Sequence, residues 1–134
     1  AYSNKEKNGK TCFIASEPLK SSGKYNKSNR GKTYVFVTNV KNGSNHEISV
    51  VAGFNYKKNT KVKFTIDKNT TLLFPIDDRA WSESPKIDKI LVRKMKKGNK
   101  LIIEGTSSPG NVVTDHYSLS GFTKALSLID KNCS

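Results

Sequence analysis

With 134 residues, 34% of them hydrophobic and 26% charged, the chain is sized for one domain over residues 1–134, with a real core and no room for a second. No apolar run approaches the roughly 20 residues of a membrane-crossing helix, and the opening AYSNKEKNGKTC lacks the apolar core of a signal peptide. A mature exported protein and a cytosolic one both read this way.

The net charge is +13, carried by 21 lysines and only 3 arginines. Arginine, with its planar fork, is the usual reader of phosphates and base edges. A Lys-rich surface fits solubility or diffuse attraction to an anionic surface, so specific nucleic-acid readout is not expected.

The predicted elements run in short extended segments separated by turn signals. KTCFIAS (10–16) comes first, followed by a polar Gly/Ser/Asn/Lys stretch from Lys20 to Lys32. TYVFVTNV (33–40) precedes KNGSN (41–45), a turn centred on glycine. EISVVAGFNY (47–56) and KVKFTID (61–67) follow. In the latter, Val62, Phe64 and Ile66 alternate with polar residues, the mark of a strand with one wet face. TLLFPI (71–76), KLIIEGTS (100–107) and VVTDHYSLSG (112–121) complete the set, the last two joined through a Pro109-Gly110 turn. Many short strands at this spacing predict an all-β sandwich or barrel.

Two stretches read as helices. In SPKIDKILVRKMKKG, Ser84 caps, Pro85 suits the first position and Gly98 ends the helix. Ile87, Ile90, Leu91 and Met95 form an apolar stripe. Lys86, Lys89, Arg93, Lys96 and Lys97 cover the other side, a candidate basic contact face. The stripe carries no aromatic and the ends are well capped, so this face reads as the wet side of a packed helix. The second helix lies in SGFTKALSLIDKNC, where Phe122, Ala125, Leu126, Ile129 and Cys133 share a side.

Cys12 and Cys133 are the only cysteines, with no CxxC and no Cys/His cluster to suggest zinc or redox chemistry. They are either independent thiols or one disulfide joining the chain ends. Cys133 turns inward against the sheet, an orientation that suits a bond to Cys12 on the first strand.

Catalytic signals are sparse. His46 and His116 are the only histidines. On a strand His116 points away from Asp115 and Tyr117, so a hydrolase site around His116 would need partners from elsewhere. Asp77-Asp78 before Arg79 reads as a turn with a local ion pair rather than a cation site. Trp81 reads as a core plug rather than an exposed platform, and Tyr34 and Tyr56 as core aromatics. Tyr25, Tyr34 and Tyr56 among lysines leave a basic nucleic-acid-binding domain as an alternative reading. Asn42-Gly43-Ser44 and Asn69-Thr70-Thr71 match glycosylation sequons, as expected by chance in a chain with 13 asparagines. No cofactor motif (P-loop, GxGxxG or HExxH) occurs.

The ordered set CFIAS (12–16) with Pro18, Gly23-Lys24-Tyr25, SVVAGFNYKK (49–58), Ala80-Trp81, LVRKMKKG (91–98), GTSS (105–108) with Gly110, and TDHYSLSGFTKAL (114–126) closing on Cys133 resembles the invasion-associated locus B (IalB) family of bacterial envelope proteins. The resemblance implies a mainly β, immunoglobulin-like β-sandwich with two short helices and paired cysteines. It also implies a periplasmic or secreted, non-enzymatic protein. The leading functional reading is a binding or adhesion-type envelope accessory protein that works through its surface on an envelope or extracellular ligand. The family name refers to a pathogen's entry into host red cells, but similar proteins occur in non-pathogens, so it is not read as this chain's task. Members usually carry a short strand before the first cysteine, which is expected to be cut short here.

Overall fold

The computed structural model describes residues 2–5, 11–25, 30–40 and 45–133. The strands are β1 (Tyr2–Lys5), β2 (Thr11–Ser16), β3 (Lys20–Gly23), β4 (Tyr34–Val40), β5 (Glu47–Val51), β6 (Val62–Ile66), β7 (Asn69–Ile76) and β8 (Arg79–Trp81). After α1 (Pro85–Lys97) come β9 (Lys100–Thr106), β10 (Val112–Ser118) and α2 (Phe122–Asn132). The chain is therefore mainly β with two helices, as expected.

Hydrogen bonding runs unbroken in the order β1-β2-β4-β5-β8-β7-β6-β9-β10-β3, and every ladder is antiparallel. This single curled sheet depends on β7, which changes partner midway. Asn69–Leu73 pair with β6, and Phe74–Ile76 pair with β8. The strands of the expected sandwich are thus joined through one shared strand, not separated into two independently bonded layers.

Alternation decides which side chains fill the concave face. Val35 and Val37 of β4, Ile14 of β2, Phe64 of β6 and Ile103 of β9 are all buried and belong to one core cluster. Each such side chain contributes about 1.5–3 kcal/mol when fully removed from water. The helices cover this face. Leu91, Val92 and Met95 of α1 enter the same cluster, as do Phe122, Leu126 and Ile129 of α2.

The predicted boundaries of α1 hold. Ser84 is extended at the N-cap and its hydroxyl accepts from the Ile87 N–H, with Pro85 beginning the helix. Gly98 ends it in an extended conformation, φ −87°. Its need for glycine is close packing, because a Cβ there would lie 2.5 Å from Ile66 Cγ2. The expected stripe is shifted, however. Asp88, Leu91, Val92 and Met95 are buried, whereas Ile87 and Ile90 are only half-buried.

Cys12 faces the core from β2 and is bonded to Cys133 just after α2, with a Cα–Cα distance of 5.8 Å. The bond anchors α2 to the strand it packs on.

Two strands were not anticipated from sequence. β3 emerges from the polar 20–32 stretch by pairing with β10, and β8 from what reads as a loop by pairing with both β5 and β7. The Asp77-Asp78 pair is the two-residue turn between β7 and β8, with Asp77 at φ 56°, a left-handed value that Asp tolerates better than most residues. The described ion pairs do not join Arg79 to either carboxylate. The expected turn over 41–45, but for its last residue, and the Asn42-Gly43-Ser44 sequon lie outside the described residues.

Candidate interaction face

Side chains that alternate with the core project from the convex side of the sheet, and across β2, β4, β5, β8 and β7 they include a cluster of aromatics. Cross-strand register places Ala15 opposite Phe36, Phe36 opposite Ser49, Ser49 opposite Trp81 and Trp81 opposite Phe74. One row therefore crosses β2, β4, β5, β8 and β7. Beside it runs a second row, in which Tyr34 faces Val51, Val51 faces Arg79 and Arg79 faces Ile76.

The rings touch one another. Phe13 meets Phe36 edge-on with centroids 5.7 Å apart, and Tyr34 lies 5.3 Å from Phe36. The Arg79 guanidinium sits 5.7 Å from the Phe36 ring and 5.9 Å from Trp81, and the Lys61 ammonium lies 5.0 Å over Phe74. Cations over ring faces are attracted by the ring quadrupole, which favours keeping Arg79 beside these rings. Along β7 the outward residues Leu72, Phe74 and Ile76 are 47%, 40% and 64% exposed. Among the described residues no helix covers this side, since both helices join the core cluster.

This arrangement corrects two expectations. Trp81 does not plug the core; it lies half-buried on the convex face, because Ala80 takes the inward position of the three-residue strand. Tyr34 is likewise on the outer row and half-buried, with Val35 inward. Tyr56 is a core residue, as expected. A signal for the face was present in the sequence. YVFV and TLLFPI are apolar on both alternating sets, and an antiparallel strand apolar on both sides has a second face to cover.

The other candidates are structural or isolated. Arg30 Nη1 and Nη2 donate to Asp115 Oδ1 and Oδ2 at 3.0 and 2.7 Å, and the two side chains are 7% and 6% exposed. Ser21 donates to the same carboxylate at 2.5 Å, and Arg30 Nε donates to the Ala52 carbonyl at 2.9 Å. Burial alone would lower the Arg30 pKa, but the Asp115 hydrogen bond and charge outweigh it and raise it. Burial, then the Asp115 charge, pushes the phenols of Tyr56 and Tyr117 well above their usual range. The cluster clamps β3 and β10 to the segment that follows β5. Neither Arg30 nor its pairing with Asp115 was legible in the sequence.

His116 points outward from β10, away from Asp115. The cavity of about 390 Å³ beside it, bounded by Lys20, Lys100, Ile102 and Tyr117 among others, has no carboxylate in its lining. His46 is engaged instead with Asp130, its Nε2 lying 2.7 Å from Oδ1. A second cavity of about 400 Å³ lies on the core side, between Ile14, Val35 and Val37 on one wall and Met95, Leu101 and Phe122 on the other. Among the described residues no group of three His, Cys, Asp or Glu side chains could hold a metal ion, and no helix is long and apolar enough to cross a membrane.

Lys86, Lys89, Arg93, Lys96 and Lys97 are all exposed on α1, opposite its buried stripe. They share that surface with no aromatic side chain of the helix.

No match is found among curated proteins or among solved structures. The family model described as Invasion associated locus B (IalB) protein matches residues 2–130 of the 134-residue chain, and the chain belongs to that family.

Proposed function

We propose that this is a single-domain, exported accessory protein of the bacterial envelope, periplasmic or secreted, that acts by binding and not by catalysis. The observation that carries this reading is the convex face, where Phe13, Tyr34, Phe36, Phe74 and Trp81 gather around Arg79. Leu72, Phe74 and Ile76 stand exposed on this face, and clustered exposed apolar side chains are the kind of surface a partner covers. Family membership and the Cys12–Cys133 bond are consistent with a place outside the cytoplasm. In this reading the basic side of α1 is a solvated face that adds to the positive field without forming the contact itself.

The test is binding of the disulfide-bonded protein to isolated envelope fractions, compared with a Phe36→Ser, Trp81→Ser double variant of verified fold. Loss of binding in the variant is the expected result. Failure of the unaltered protein to bind would sink the reading, and an undiminished variant would move the contact elsewhere.

A nucleic-acid-binding role is the weaker alternative. The aromatic face has a single arginine at its centre, and Tyr25 and Tyr56 lie apart from it, near the buried Arg30. A hydrolase reading loses its footing with the carboxylate-free surroundings of His116.

A further inference from the structure

We infer that the convex aromatic face docks on an anionic lipid surface, with Leu72, Phe74, Ile76 and Trp81 entering the headgroup layer and Arg79 meeting lipid phosphate. This rests on the binding reading above and names the partner class of the same face.

Three observations lead to a membrane surface. The first is charge. The chain carries +13, so two copies placed face to face would meet at strong mutual repulsion, whereas an anionic partner is attracted. Within the face, Arg79 and Lys61 lie over rings, and Arg79 has no carboxylate among the described ion pairs. Of the carboxylates nearby, Glu104 stands in register with Leu72 across Lys63 and is paired with that lysine, while Glu47 begins β5 and Asp77 and Asp78 form the turn after β7.

The second is the kind of apolar side chain presented. A nucleic acid would be met by rings left free to stack on bases. Here the two most exposed positions are aliphatic, Ile76 at 64% and Leu72 at 47%, and Phe74, at 40%, has the Lys61 ammonium over its ring. They form a ridge along one strand, while the large rings behind them are half-buried against each other. An aliphatic ridge backed by Trp and Tyr with cations beside it matches the interfacial zone of a bilayer, where apolar bodies sink to the acyl boundary and polar tips stay at the headgroups.

The third is geometry. The face is built on hydrogen-bonded strands, so the side chains are already held in position and little conformational entropy is lost on docking. Attraction of the cations to anionic lipid then comes on top.

Trp81 is the only tryptophan and lies in the face, so its fluorescence reports this contact and no other. The oxidised full chain is mixed with vesicles of phosphatidylcholine alone, or of phosphatidylcholine with phosphatidylglycerol, each also made with brominated acyl chains. The expected result is a blue shift and bromine quenching of Trp81 with the anionic vesicles, both falling as salt is raised. The Leu72→Ser, Ile76→Ser variant, altered only at exposed positions, is expected to partition at least about tenfold more weakly.

Vesicles that carry down the protein with Trp81 emission unchanged would place the contact elsewhere, on the basic side of α1, and overturn the proposal. Equal response to neutral vesicles would overturn the anionic commitment, and no response to either would overturn the membrane partner. If the lipid test fails while envelope binding still depends on Phe36 and Trp81, only this inference falls and the broader binding reading stands.

Discussion

Arg30 and Asp115 meet as a two-pronged ion pair, 85 residues apart in sequence and almost sealed from solvent. The guanidinium is further sandwiched, 4.9 Å from the Tyr25 ring and 5.0 Å from Phe54. The pair joins the polar segment after β3 to the inward side of β10, where a lone carboxylate among Val113 and Tyr117 would be costly.

Removing one partner is therefore expected to hurt far more than removing both. Arg30→Met alone leaves the Asp115 carboxylate buried without its counter-charge, and the expected loss is about 3–5 kcal/mol of unfolding free energy. The Arg30→Met, Asp115→Asn double variant should recover much of that loss. Urea denaturation of the full double-mutant cycle checks this, and strictly additive losses would count against it.

The Cys12–Cys133 bond closes a loop with a sequence separation of 121. By chain-entropy reasoning a closure of this length restricts the unfolded chain by on the order of 4–5 kcal/mol. The Cys12→Ser, Cys133→Ser variant should lose a comparable amount, and the wild type should lose it only when a reductant is present. Alkylation of the denatured, non-reduced protein should label no thiol among the two.

Legibility in the sequence followed the range of the interactions involved. Elements whose causes are local were readable: Ser84 and Pro85 announce α1, and the alternation of Val62, Phe64 and Ile66 announces β6. Elements whose causes are distant were not. β3 is a strand only because β10 lies beside it, and β8 only because β5 and β7 flank it. The same limit applies to Trp81. Its apolar character suggested the core, but the facing direction is set by the register of a three-residue strand, which local sequence does not specify. Asp88 illustrates the point again: a polar residue inside the buried stripe of α1 is justified only by Ser82 and by the Ile48 N–H arriving from β5.

Gly105 has its role through Tyr56. A Cβ at this position of β9 would stand 2.5 Å from Tyr56 Cε1, and Tyr56 is itself in the core cluster. Gly105→Ala should cost about 1–3 kcal/mol by overpacking. In a Tyr56→Ala background, where the ring is gone, the same substitution should cost nearly nothing, and thermal or urea unfolding of the four proteins measures the coupling.

Asp88 gives stability a distinctive response to pH. Its carboxylate accepts from the Ser82 hydroxyl at 2.5 Å and from the Ile48 N–H at 3.3 Å. Burial raises its pKa above 3.8, and these two hydrogen bonds only partly offset the rise; its first-turn position also favours the ionised form, yet burial dominates. The folded state therefore holds the proton more tightly than the unfolded state, so this residue's contribution to stability falls as pH rises from 3.8 through the folded pKa. Asp88→Asn keeps an oxygen acceptor and removes the titration. The difference in unfolding free energy, variant minus wild type, should climb through that window and then level off toward neutral pH. Urea titrations at closely spaced pH values read this directly, and a difference that stays flat or declines would show that burial does not govern Asp88.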